Sequence, residues 1–252
     1  MNRRLRRIFA GVLSVGGGAA PYYERVLATQ PASLIQYLRL NETSGVTAVD
    51  SSPEVNNGAY SAGVELVNAA GPEGVSVPLF GDDYCSVYSV PFNTDWNGNE
   101  LSISIWGKVS GVGVWADATV RRLIGFEHNG GTSYVHIDKS ATANRLTVSY
   151  RGVTALKQVN ITTTAPVDWF NITLTVSAVS DFMKVYFNGV QSGATQTGSG
   201  GWPGTGALVS TQCNIGAYTQ VPASPWSGWL AHSAMWKIPL SDAEVLAVAN
   251  PL

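Results

Sequence analysis

Two stretches in the second half of the chain, Trp169-Phe-Asn-Ile-Thr-Leu-Thr-Val176 and Phe182-Met-Lys-Val-Tyr-Phe-Asn-Gly189, alternate apolar and polar residues with a period of two. A strand sends successive side chains to opposite faces. Phe170, Ile172, Leu174 and Val176 therefore read as a core face, and Asn171, Thr173 and Thr175 as a solvent face. Ser177 to Asp181 connects the two arms, and Asn188-Gly189 supplies the positive backbone angles of a tight reversal into Val190-Gln191-Ser192. Three such segments in succession make a meander, which belongs inside a large antiparallel sheet.

Strand signals of the same kind recur at Leu34 to Leu40, Gly63 to Val67, Val75 to Phe80, Tyr84 to Val90, Leu101 to Lys108 and Arg122 to Phe126. They continue at Tyr134 to Asp138, Arg145 to Tyr150, Leu156 to Ile161, Gln212 to Tyr218 and Trp229 to Trp236. Turn residues separate them, as at Asn41 to Gly45 and Asp50 to Gly58, and no repeat of fixed period is visible. Many short strands at this spacing make a sandwich or a barrel, here followed by a short helix over Ser241 to Ala249. Pro31 stops the segment that begins at Tyr22, so a compact domain is expected over 32–252 behind an arm of residues 1–31. Charged residues are 13% of the 252 positions, about half the usual share, while 27 glycines serve the turns. A net charge of −2 gives no broad attraction to nucleic acid or to an anionic bilayer. The two cysteines, Cys85 and Cys213, sit in separate strand-like runs and read as two buried thiols or as one bridge.

In order along the chain, a series of short pieces carries a resemblance: Tyr37-Leu-Arg-Leu-Asn-Glu42, Ser44-Gly45, Asp50-Ser-Ser52, Asn57-Gly58, Phe80-Gly81 and Leu101-Ser-Ile-Ser-Ile-Trp106. It goes on with Trp169-Phe-Asn-Ile-Thr-Leu174, Val185-Tyr-Phe-Asn-Gly189, Asn214-Ile-Gly-Ala217, Gly228 to Ala234 and Leu240-Ser-Asp-Ala-Glu244. The series resembles the laminin-G-like (LamG-like) jelly roll of the concanavalin A-like lectin/glucanase superfamily. The resemblance implies an all-β, two-sheet antiparallel jelly-roll sandwich. Leu38-Arg39 and Trp169-Phe170 depart from the Trp-Arg and Trp-His pairs usual in the family; both are apolar changes at packing positions and leave the fold standing. Ahead of the first strand, Tyr22-Tyr23, Val26-Leu-Ala28 and Pro31 are similar to the lead-in of LamG-like virion proteins of tailed phages.

That superfamily holds glucanases, lectins and structural modules, so function has to be read from side chains. Its best-known hydrolases carry Glu-x-Asp-x-x-Glu on one strand, and the chain has no such run. Asp82-Asp83 falls in a turn, while Asp242 and Glu244 suit the first turn of the last helix, capped by Ser241. His128, His136 and His232 are isolated in sequence, and neither a nucleophile elbow nor a phosphate loop is present. No enzyme, no catalytic residue and no cofactor is expected. Asp50, Asn56, Asn57, Asp82 and Asp83 are hard oxygen donors of the kind related domains use for a structural calcium; Asx turns explain them equally, and no metal site is assigned.

Binding is expected from aromatic rings and from the arm. Trp202 lies within Gly198 to Gly206, Trp226 and Trp229 flank Ser227-Gly228, and Tyr218 ends a strand-like run. Sugars stack on such rings, and protein partners use them as anchors. Upstream, Arg3, Arg4, Arg6 and Arg7 stand beside Ile8 and Phe9. This looks like a secretion signal with a twin-arginine pair, but its apolar run is short and Gly16 to Gly18 interrupt it, so an uncleaved anchoring arm is preferred. The sequence points to a non-catalytic structural or adhesion protein on a virion surface, as capsid decoration or tail component. Its expected partners are other virion proteins, further copies of itself and surface glycans, with no nucleic acid and no membrane span. The alternative is a secreted or periplasmic bacterial carbohydrate-binding module or lectin whose N-terminal signal is cleaved.

Overall fold

A computed structural model of the chain describes residues 20–128, 131–163, 168–221 and 223–250. In chain order it contains α1 (Tyr22–Ala28), β1 (Leu34–Leu38), β2 (Thr47–Ala48), β3 (Gly58–Tyr60), β4 (Glu65–Ala70), β5 (Ser76–Phe80), β6 (Cys85–Ser86) and α2 (Val90–Asp95). There follow β7 (Glu100–Val109), α3 (Val112–Ala116), β8 (Arg121–His128), β9 (Ser133–Lys139), β10 (Arg145–Arg151) and β11 (Leu156–Thr162). The last third holds β12 (Phe170–Ser177), β13 (Phe182–Phe187), β14 (Val190–Gln191), β15 (Asn214–Ile215), β16 (Gly228–Trp236) and α4 (Asp242–Ala249). One antiparallel sheet runs β14-β13-β12-β7-β16-β5-β4, with β1 also paired to β16; the other runs β11-β10-β9-β8-β15-β6-β3-β2. The two-sheet antiparallel sandwich and its short C-terminal helix are as the sequence indicates.

The hairpin pairs Ile172 with Phe187 through to Ser177 with Phe182. At its far end Asn188 and Gly189 take φ of 50° and 79°, the left-handed pair that a two-residue reversal requires. Ile103, Ile105, Ile172 and Leu174 from the first sheet meet Phe126, Val135, Ile137 and Val148 from the second to form the main core. The face of β12 read as solvent-facing is covered instead: Asn171, Thr173 and Thr175 are buried. Asn171 and Thr173 tolerate this because they bond across strands, Asn171 Nδ2 and Thr173 Oγ1 both reaching Ser104 Oγ, at 2.9 and 3.1 Å.

Two helices make that cover. The capping box of Ser241 and Glu244 starts α4, whose Val245 and Val248 pack with Trp106, Tyr186 and Trp236 on the outer face of the first sheet. Tyr22 and Val26 of α1 enter the same cluster, so the packed unit begins upstream of the 31/32 boundary read from Pro31. The Tyr22 hydroxyl joins the pieces, accepting from Trp106 Nε1 at 2.8 Å and donating to Val248 O at 2.6 Å. The anchoring residues Arg3, Arg4, Arg6, Arg7, Ile8 and Phe9 lie outside the described residues.

Three local departures have simple causes. The segment read as a strand from Tyr84 to Val90 pairs only at Cys85–Ser86, because Ser89 accepts from Phe92 N at 3.1 Å and caps α2, with Pro91 in its first turn. Gln212 to Tyr218 likewise pairs only over Asn214–Ile215. α3 is a five-residue turn that buries Trp115, too short for a helical period to show in sequence. Cys85 and Cys213 are both free and buried. Among the described residues no helix is long and apolar enough to cross a membrane.

Candidate functional site

Alternation on β8 to β11 turns Phe126, Val135, Ile137, Leu146, Val148, Val159 and Ile161 inward, which leaves polar residues in rows across the outer face of the second sheet. One row pairs Gly125 with His136, His136 with Ser149 and Ser149 with Gln158. Its neighbour pairs Arg122 with Asp138, Asp138 with Thr147 and Thr147 with Asn160. The rows are tied laterally, Gln158 Nε2 donating to Ser149 Oγ at 3.0 Å and Thr147 Oγ1 to Asn160 Oδ1 at 2.8 Å. A cleft of about 310 Å³ opens on this face between Tyr134, His136 and Asp138 of β9, Arg145 of β10, and Gln158 and Asn160 of β11.

One end of the cleft is aromatic. Tyr134 and His136 stack with ring centres 4.2 Å apart, and Tyr218 leans edge-on to His136 at 5.8 Å from the loop after β15. Arg122 sits against the face of the Tyr218 ring, its guanidinium carbon 4.6 Å from the ring centre, and forks onto Asp138 at 2.7 and 3.1 Å. Gly125 permits this: a Cβ there would stand 2.7 Å from Arg122 Cδ. His136 Nε2 lies 3.0 Å from Glu127 Oε1. Burial works to raise the Glu127 carboxyl, but hydrogen bonds from His136 and Tyr218 outweigh it and hold the acid below its usual value. Burial, with the Arg122 charge against it too, keeps the His136 imidazole below its usual value despite Glu127. Near neutral pH the pair is thus carboxylate and neutral imidazole: Nε2 carries the hydrogen and Nδ1 is left as an acceptor.

This set can bind but is poorly arranged for hydrolysis. A glycosidase needs one carboxyl kept protonated as general acid. Glu127 is driven the other way, and both oxygens of Asp138 are taken by Arg122.

The aromatic residues expected to bind fall into three places. Trp202 and Trp226 are buried, which corrects their reading as exposed loop rings. Trp202 closes one end of the sandwich against Trp96, His128 and Tyr150. Gly98, at φ 68°, admits it, since a Cβ there would meet the indole at 2.3 Å. Trp226 packs edge-on to Phe170 in the main core. Trp229 is half-buried on the first sheet, its Nε1 donating to Asn68 Oδ1 at 2.8 Å and Lys108 5.9 Å from its ring. Tyr218 alone of the four reaches the cleft region. A second cleft, also about 310 Å³, lies between Trp106, Trp169, Asn188 and the end of α4.

Most of the calcium donors are already engaged within the chain. Asp50 accepts from Tyr37 N, Ser52 N, Ser52 Oγ and Asn56 N at 2.6 to 2.8 Å, which fills both carboxylate oxygens with turn hydrogen bonds. Asn57 Oδ1 accepts from Asp50 N, and Asp83 Oδ1 from Ser61 Oγ. Among the described residues no group of three or more His, Cys, Asp and Glu side chains is placed to hold a metal ion.

Sequence reasoning missed Tyr134, His136, Asp138, Arg145, Gln158 and Asn160. Their signal was present in the alternation of three consecutive segments, whose polar positions all fall on one face.

A two-sheet jelly roll with a polar, aromatic-flanked outer face defines the class as a concanavalin A-type sandwich. Residues 80–246 match the Laminin_G_3 family model, described as the Concanavalin A-like lectin/glucanases superfamily, and the chain belongs to that family. Among solved structures it is similar to domain 4 of AbnA, an extracellular arabinanase of Geobacillus stearothermophilus, in complex with arabinotriose. That likeness has a TM-score of 0.65 at 14% identity and covers 86% of this chain and 98% of that one. It is also similar to the receptor-binding domain of botulinum neurotoxin mosaic serotype C/D, at TM-score 0.64, 15% identity and 87% of this chain, spanning 51% of that chain. The serotype D/C binding domain gives TM-score 0.60 at 16% identity, over 87% of this chain and 52% of that one. A search of curated proteins returned no match.

Proposed function

We propose that the protein is a non-catalytic adhesion module that binds a glycan on the outer face of β9, β10 and β11. The observation that carries this is the cleft itself: a flat aromatic pair, Tyr134 on His136, beside a lattice of amide and hydroxyl groups on adjacent strands. Sugars present an apolar ring face and a rim of hydroxyls, and this surface offers the complement of each. The arabinotriose complex of the arabinanase domain supports the ligand class, and the Glu127 carboxyl, held below its usual value and so ionised, supports binding without turnover.

The attachment of the module also belongs to this proposal. Anchorage to a virus particle, with capsid or tail proteins as partners, rests on Arg3 to Phe9, and the secreted alternative rests on the same residues read as a signal. The packing of α1 favours an anchor on that side, because the chain enters the sandwich on the face opposite the cleft. Intact mass of the native protein separates the two: loss of about twenty residues is expected of a cleaved signal only.

For the glycan site, the test is a glycan array probed with wild type, Tyr134→Ala and Trp229→Ala. Loss of binding with Tyr134→Ala and retention with Trp229→Ala is the expected result. The reverse pattern moves the site to the first sheet, and release of sugar that stops with Glu127→Gln makes the protein a hydrolase.

A further inference from the structure

We infer that the glycan taken by this face is acidic, with Arg145 receiving its carboxylate; the inference rests on the binding face proposed above. Arg122, Lys139, Arg145 and Arg151 lie on or under this part of the sheet, the last exposed and paired across β10 and β9 with Tyr134, and the first two are already committed. Arg122 forks onto Asp138. Lys139, fully buried, is held by the Asp117 carboxylate at 2.6 Å and by the carbonyl oxygens of Asp117 and Thr119. Arg145 is different. It lines the cleft half-buried, and no Asp or Glu lies within 4 Å of it among the described residues.

Its guanidinium is nevertheless positioned. Nε and Nη2 both donate to Ser140 Oγ, at 3.2 and 2.9 Å, so a neutral hydroxyl fixes the plane of the group without cancelling its charge. A planar, oriented fork without a counter-ion is built to meet a carboxylate through two parallel hydrogen bonds. Arg145 stands four residues from Ser149 on β10, about 13 Å along the strand, so a chain of more than one sugar ring reaches from it to the Tyr134–His136 stack. Selection of an anion here is local. The protein carries a net charge of −2, so its overall field does not steer acids to the site, and the effect falls on affinity and register rather than on the rate of encounter.

The test takes tri-galacturonate, a hyaluronan tetrasaccharide and sialyllactose, each beside its carboxyl-reduced neutral counterpart, and titrates them calorimetrically into the full-length chain. At least one acid is expected to bind about tenfold tighter than its reduced form, with the gap closing as salt is raised. Within each variant the acid-to-neutral ratio is read: Arg145→Gln should bring it to about one whatever happens to the neutral affinity, while Arg145→Lys, which keeps the charge without the fork, restores part of the gap. Thermal midpoints of both variants are compared with wild type, and Arg145→Lys decides the matter if Arg145→Gln is unstable. Equal binding of acid and reduced forms overturns the acidic ligand and leaves the binding face intact. No binding of any of the six overturns the acidic ligand, and the glycan array with Tyr134→Ala then judges the face by itself.

Discussion

The outer face of the first sheet and the outer face of the second are built from the same alternation, yet two helices cover the middle of one, leaving a cleft at the end of α4, and the other lies open. On the first, α1 and α4 lie over Trp106, Tyr186 and Trp236, and the polar residues beneath, Asn171, Thr173 and Ser104, spend their hydrogen bonds on one another. On the second, Tyr134, His136, Arg145 and Thr147 stay half-buried, and the cross-strand ladder leaves donors and acceptors for a ligand. The difference does not lie in the strands. It lies in the segments before β1 and after β16, which supply two helical covers with buried apolar residues and spend both on the same side. Substitutions should therefore act on stability at the sealed face and on binding at the open one.

The largest effect is expected at the sealed face. Trp106→Ala removes a buried indole and its bond to Tyr22, and should cost about 3 to 5 kcal/mol in urea unfolding with glycan affinity unchanged. A loss below about 1 kcal/mol would mean that the helices do not seal that face.

Next comes acid. His232 sits at a bulge in β16 with φ 49°, its Nδ1 2.8 Å from the Tyr37 hydroxyl. Burial first, and the Arg39 guanidinium second, lower its imidazole to about 3, and Glu73 Oε2 lies 3.3 Å from its Nε2. The unfolded chain takes up a proton near pH 6.5 that the native chain refuses, so stability is full above that pH and falls as pH drops toward 3. Between pH 7 and 4 the loss should be about 2 to 3 kcal/mol from this residue. His232→Asn, which tolerates the left-handed backbone, should flatten the curve; an unchanged slope would assign the acid sensitivity to other groups.

At the open face the sign of the comparison reverses. Tyr134→Ala should weaken glycan binding by about 2 kcal/mol, roughly thirtyfold, with unfolding free energy within about 1 kcal/mol of wild type. Equal damage to both quantities would make Tyr134 a packing residue. Smallest is Gln158→Ala, which removes one rung of the ladder and should change stability by less than about 0.5 kcal/mol and affinity by about threefold or less.

Much of this was legible in the chain. Alternation and turn chemistry gave the hairpin, its reversal at Asn188-Gly189 and most of the strand segments along the chain, because each depends on neighbours in sequence. What covers a face depends on segments far away. Thr173 reads as solvent-facing because nothing near it in sequence announces α4, and Trp202 reads as a loop ring because the glycine that admits it, Gly98, is a hundred residues upstream. The cleft was hidden for a related reason. Its residues are ordinary polar positions of three strands and become a set only when register brings His136, Ser149 and Gln158 into one row.

The Tyr22 hydroxyl, bonded at once to a sheet tryptophan and to the last turn of α4, fastens the entry of the chain to a rigid wall. A molecule held by what precedes that point behaves as a tile with a fixed outward side. Tiles set edge to edge on one support would present their clefts as a lattice, and binding would then depend on spacing as much as on any single contact. Under that arrangement each cleft need hold its sugar only weakly, since a second engagement made before the first lets go proceeds at an effective concentration of about millimolar.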